Sequence, residues 1–243
     1  MNYMDLLLGY GTDEDEILHQ FFLHPLSKEE RMQYSEKDTD RAARRLIDIL
    51  RRVPTGTIID ILSRHSDEIP VITTGSIPQF SNIDDLDRVP GIVMSNPGCK
   101  YKLIGYFFNK DAQESAQQKY GENHYKAAAQ IGLCEEVIKK TEASMPEVTK
   151  LGEVYDELDK EDKETVKAKL CFLIPVIQKF FTEGRNGTVD AKGLYESMLS
   201  AATVIRRRSS TMMLIRCIAK TLEGPDKDIP SRIFWGYHNA KQI

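Results

Sequence analysis

The stretch HYKAAAQIGLCEEVIKK, residues 124–140, decides how most of the chain is read. Ala128 is small, Gly132 follows four positions on, and Ile138 stands six beyond that. Two helices cross tightly only where a small side chain sits at the crossing, and a sharp turn between them needs a residue that tolerates positive φ. Ile131 and Leu133 would fill the inner face. The spacing predicts a helix over 111–131, broken at Gly121, a turn at Gly132 and a second helix over 135–143, ended by Ser144-Met145-Pro146.

This triplet resembles the helix-turn-helix pattern of DNA-binding proteins. The resemblance implies that helix 135–143 lies in the major groove of double-stranded DNA, with Glu135, Lys139 and Lys140 facing outward beside Cys134 and Glu136. Glutamates repel phosphate, so Glu135 could read cytosine only where neighbouring basic groups overcome that repulsion. The same residues also suit an ordinary helical hairpin packed through small side chains.

Upstream, residues 13–24 read as a helix capped by Thr12 and stopped by Pro25. Residues 39–52 form a second, with Ala43, Leu46, Ile47 and Leu50 on one stripe, and residues 57–65 a third. A region rich in Pro, Gly, Ser and Thr follows, with a strand expected at 71–74 and a short capped turn at Ser81–Asp84. Residues 91–108 read as a β-hairpin around Asn96-Pro97-Gly98, because both flanks are rich in β-branched and aromatic residues. Helices followed by a hairpin suit a winged helix, with Lys100 and Lys102 at the wing tip and Arg44 and Arg45 as further phosphate contacts. The bland alternative for these charges is a solvated face paired with carboxylates.

Downstream, the acidic stretch 146–164 reads as a linker or connecting helix. Residues 165–183 should be kinked at Pro175, and 191–222 should be split at Ser209-Ser210 and closed by Gly224-Pro225. The expected fold is therefore mainly α with a small β-hairpin (α+β). A helix-turn-helix or winged-helix-like unit would cover 1–145 and a helical bundle 165–243, with the bundle helices serving a homo-oligomer.

Composition fits a folded soluble chain. Of 243 residues, 41% are apolar and 29% charged, with a net charge of −4, so the disordered class is excluded. The longest apolar run is 170–177, far short of the roughly 20 residues that span a bilayer. The acidic N-terminus lacks the basic region of a signal peptide. The near-neutral average hides acidic and basic blocks, with 13 basic and 6 acidic side chains in 166–243. Cys99, Cys134, Cys171 and Cys217 are far apart and fit no zinc pattern, so free thiols in a reducing cytoplasm are expected.

No signature of catalysis is present: neither GxSxG, GxxxxGK[ST], GxGxxG nor HExxH occurs. The five histidines, His19, His24, His65, His124 and His238, are scattered, and neither a metal nor a cofactor is expected. Residues 182–196 resemble an EF-hand loop but carry Thr182, Gly184 and Gly193 where oxygen ligands belong. Residues 9–15 resemble an annexin calcium loop without its repeats. Three functions are thus weighed. The first is DNA binding. The second is a helical protein–protein interaction module using Met198, Met212 and Met213. The third is a metal-dependent nuclease built on Asp84, Asp85 and Asp87.

Overall fold

Side-chain oxygens placed just ahead of apolar stripes start many of the helices. The computed structural model describes residues 1–9, 13–136 and 145–236. Asn2 caps α1 (Tyr3–Leu8), and Asp13 caps α2 (Glu14–Leu23) by accepting from the Glu16 amide. Thr12, expected in that role, lies outside the described residues. A Ser27–Glu30 capping box starts α3 (Lys28–Arg31). Ser35 starts α4 (Glu36–Arg52) three residues ahead of the expected boundary, and Pro54 precedes α5 (Thr55–Arg64).

Residues 71–74 make no strand: Thr73 and Ser76 close a single 3₁₀ turn, and Val71 is exposed. The expected hairpin at 91–108 is also corrected. The chain there forms α6 (Val89–Ser95) and α7 (Tyr101–Phe108). Asn96-Pro97-Gly98 does turn the chain, with the Cys99 amide bonded to the Asn96 carbonyl at 3.0 Å, but it joins two helices. Pro90 sits in the first turn of α6, where its missing N–H costs nothing; within a strand it would remove a ladder donor.

The stronger reason is packing against α8 (Glu114–Gln130). Gly105 and Gly121 face each other across the α7–α8 contact. A Cβ on Gly105 would sit inside the Gln117 carbonyl, and one on Gly121 inside the Tyr101 carbonyl. Gly121 therefore marks a crossing in an unbroken helix, not a break, and this close backbone approach outweighs local β propensity.

After α8 the turn at Gly132 takes φ 78°, as its spacing predicts. The chain then runs extended, not helical. Cys134 bridges Val148 antiparallel, and the Glu135 amide donates to the Glu147 carbonyl at 3.0 Å. Glu135 and Glu136 thus lie outside any helix, while the rest of the expected helix 135–143 lies outside the described residues. The remainder is α9 (Lys150–Asp156), α10 (Lys160–Leu170), α11 (Pro175–Asn186), α12 (Ala191–Met198) and α13 (Ala201–Ala219). Pro175 starts α11 in place of kinking a longer helix. Ser210 does not split α13; its buried hydroxyl donates to the Phe80 carbonyl at 2.7 Å.

The chain is mainly helical. Its sheet is a parallel pair, β1 (Val189–Asp190) on β2 (Ile233–Phe234), two residues each. The core runs along α4, which packs on α1, α9 and α10, and along α5, which packs on α2 and α11. Gln178 ties α11 into it by donating to the Phe22 and Phe172 carbonyls at 2.8 and 2.7 Å. No described helix is long and apolar enough to cross a membrane.

Candidate metal centre

The packing of α2 on α5 brings together three histidines that lie 5 and 41 residues apart in sequence. His19 faces inward from α2, and His24 caps its C-terminus. His65 caps the C-terminus of α5, where its amide bonds to the Ile61 carbonyl. A single 3₁₀ turn over Ser66–Glu68 then folds the Glu68 carboxylate back towards all three imidazoles.

His19 Nε2 and His24 Nε2 lie 2.9 and 2.8 Å from Glu68 Oε2, and His65 Nδ1 lies 2.8 Å from Glu68 Oε1. The rings of His19 and His65 stack at 3.9 Å with a 29° interplanar angle, and His24 meets His19 edge to face at 5.5 Å. Hydrogen bonds from His24, His65 and His19 hold the Glu68 carboxyl down to about 2, so it is a carboxylate throughout the physiological range. The His19 side chain is 12% exposed, His65 35%, Glu68 32% and His24 47%, so the cluster is closed around His19 and open towards His24. A depression of about 360 Å³, bounded in part by Asn2, Gln20, His24 and Glu30, opens beside it.

Ligand atoms of His19, His65 and Glu68 all lie within 4.8 Å of one another, and this is the one such group among the described residues. Two imidazoles and a carboxylate on one face are the donor set of first-row divalent ions. Bonds of about 2.1 Å in tetrahedral geometry put donors roughly 3.4 Å apart. Each imidazole nitrogen needs to draw back from the Glu68 oxygen it bonds by only about half an ångström to reach that spacing. Behind it, His19 Nδ1 faces Glu16 at 3.7 Å and Gln20 Nε2 at 3.4 Å, and Gln20 donates to Glu16 at 3.1 Å. A carboxylate behind a ligating imidazole fixes its tautomer and raises its basicity.

The residues singled out from the sequence sit elsewhere. On α4, Arg44 forms a two-pronged pair with Glu157 and bonds Asp40, while Arg45 donates to the Leu7 and Gly9 carbonyls at the end of α1. Lys100 is the exposed N-cap of α7, and Lys102 pairs with Glu114 at 2.6 Å. Glu135 is paired with Arg31. Lys139 and Lys140 lie outside the described residues. Of the acids weighed for a nuclease, Asp85 accepts from Arg88 and Tyr120, and Asp87 from Lys167 and Tyr155. Sequence spacing missed the histidine cluster entirely, since the one local signal is His65-x-x-Glu68, an i,i+3 pair at a helix end. Comparison with protein-family models, with curated proteins and with solved structures finds no match for this chain.

Proposed function

We propose that this chain is a metal-binding protein that holds a divalent first-row transition ion, Zn²⁺ by donor chemistry, through His19 Nε2, His65 Nδ1 and Glu68. His24 supplies a fourth donor or a hydrogen bond to Glu68. The observation that carries the reading is the convergence of three of five histidines on a single carboxylate, with a further carboxylate behind one of them. Burying this much imidazole around one acid needs no ion, but an ordinary ion pair uses one histidine. Three protein donors with an exposed side leave a coordination position for water, as water-activating zinc sites do.

The test is equilibrium titration with Zn²⁺ after chelator treatment, followed by metal analysis of the desalted protein. One ion per chain is expected. Glu68→Gln and His65→Ala should each weaken binding at least about 100-fold, since each removes one of three ligands. Ion at 100 times its dissociation constant should raise unfolding free energy by about 2.7 kcal/mol. Absence of stoichiometric binding, or binding unchanged in both variants, refutes the proposal.

The geometry gives the DNA reading no comparable support. Four of its seven residues are engaged with carboxylates, a cation or helix-end carbonyls, as described above, and they are spread over α4, α7 and the strand-like segment after α8.

A further inference from the structure

A cavity of about 770 Å³ lies between α1, α3 and α4, bounded also by the extended segment after Gly132 and by the start of α9. Small-molecule sites enclose roughly 300–1,000 Å³, so the space is of that class. Small side chains leave it open: α4 turns Ala42 and Ala43 towards it, and the end of α8 and the turn after it contribute Ala129 and Gly132. Met4, Leu7, Phe21 and Leu46 give it an apolar floor, where Tyr3 meets Phe21 edge to face at 5.3 Å. Met32, which also lines it, is 73% exposed, so an apolar side chain stands at its mouth. The partly buried Arg31–Glu135 ion pair lies in its wall. Packed interiors leave few voids larger than a water molecule, so an amphipathic space of this size is a shaped recess and not slack in the core.

Its wall is charged unevenly. Among the described residues it holds three cations, Lys28, Arg31 and Lys150, against five carboxylates, Glu30, Glu36, Glu135, Glu136 and Glu153. Each cation is already matched, Lys28 to Glu147, Arg31 to Glu135 and Lys150 to Glu153. Glu36 is exposed and reaches Lys150 at 3.7 Å, as that ammonium's second carboxylate. Glu30 accepts from the Ser27 amide at 2.8 Å, and Glu136 is exposed. A ligand anion would find every cation of the wall engaged and would face the surplus carboxylates, whereas a ligand cation is attracted by them.

We propose that this cavity binds a small amphipathic organic cation, an alkyl- or arylalkyl-ammonium. Its apolar body lies on the floor between α1 and α4, and its charged head sits at the mouth with Glu30, Glu36 and Glu136. The site is independent of the metal centre. The cavity and the depression beside the histidines share Pro25, Leu26 and Glu30 in their linings, but none of His19, His65 and Glu68 lines the cavity.

The test is calorimetric titration of the full chain, without added metal, with decyltrimethylammonium and with decanoate, each below its micellar concentration. One decyltrimethylammonium per chain is expected, bound at least about tenfold more tightly than decanoate, because carboxylates outnumber cations in the wall. Ala43→Phe places a ring on the floor and should weaken binding of the cation at least about tenfold. Should that variant fail to fold, Thr39→Trp, one turn earlier on the same face of α4 and partly exposed, obstructs the same space. Glu36→Gln with Glu136→Gln, both at exposed positions, should keep one-to-one binding of the cation while bringing its affinity to within about threefold of that of decanoate. The proposal is overturned by absence of saturable one-to-one binding of decyltrimethylammonium, or by decanoate binding as tightly or more tightly. It is equally overturned by cation binding unchanged in the obstructed variant that folds, or by a preference for the cation unchanged in the double Gln variant.

Discussion

Lys167 and Lys169 stand two residues apart on α10, both buried, and their environments move them in opposite directions. Burial pulls Lys167 down, but the charge and hydrogen bond of Asp87 outweigh it and leave the group raised. Among the described residues Lys169 meets no carboxylate. Its ammonium donates to the Leu50 carbonyl at 2.5 Å and approaches the Arg51 carbonyl at 3.5 Å, both at the C-terminal end of α4. Burial pushes it from 10.5 down to about 8. That drop corresponds to a penalty of about 3 kcal/mol on the charged folded form.

The sign follows from linkage. Below pH 8 both folded and unfolded chains carry the proton, and the full penalty applies. Between about 8 and 10.5 the unfolded chain still binds the proton while the folded chain has lost it, so stability rises with pH. From pH 7 to pH 10 the recovery is about 2–3 kcal/mol. Lys169→Met removes the titrating group. It also removes the hydrogen bonds from a charged donor to the helix-end carbonyls, worth about 1.5–3 kcal/mol. The variant should therefore be near neutral in stability at pH 7, and less stable than the parent by about 2–3 kcal/mol more at pH 10. Urea unfolding of both proteins at pH 7, 8.5 and 10 measures this, and the difference between them cancels other titrating groups. A difference that stays constant across this range, or shifts in favour of the variant as pH rises, refutes the assignment.

The α7–α8 crossing makes a sharper prediction. Gly121→Ala drives a methyl into the Tyr101 carbonyl and should cost about 3 kcal/mol or more, read as a lower urea midpoint at unchanged slope. An unchanged midpoint would mean the helices do not meet there. Glu16→Gln should weaken Zn²⁺ binding about tenfold while leaving stoichiometry at one, because Glu16 stands behind His19 and is not a ligand. Retention of the chain on duplex DNA is expected to be weak at low salt and without a steep salt slope, since a steep slope needs several phosphates neutralised together. Strong retention that falls steeply with salt and is lost in Lys139→Glu with Lys140→Glu would instead assign DNA binding to that segment.

How far the sequence could be read depended on whether a feature was local. Caps and turns were legible: Gly132 takes the left-handed conformation its spacing predicts, and α2 and α4 fall close to their apolar stripes. Residues 91–108 were not. Val93, Tyr101, Phe107 and Phe108 favour a strand by composition, and what overrode them was Gly105 meeting Gly121, sixteen residues away in sequence. Local spacing points to a small-residue crossing at Ala128 and Gly132, whereas the α7–α8 crossing uses two glycines whose partnership has no fixed spacing.

The histidine cluster carries the same lesson to function. His19 and His65 become neighbours because α2 packs on α5, an apolar contact made by Ile17, Leu18, Phe21, Ile58, Ile61 and Leu62 on their buried faces. The polar rim of that contact then has to be satisfied. His19 is nearly enclosed and needs a partner for each ring nitrogen, which Glu68 at 2.9 Å and the Gln20 amide at 3.4 Å supply from either side. If only that requirement were at work, one histidine, one acid and one amide would meet it. His24 and His65 are more exposed, could hydrogen-bond to water, and yet both turn to the same carboxylate. Donors that give up solvent to share one acid are arranged for a common centre. Replacing His24 and His65 together by Gln separates the two explanations. A purely structural network loses little stability with or without Zn²⁺, whereas a metal site loses the Zn²⁺-dependent rise in unfolding free energy altogether.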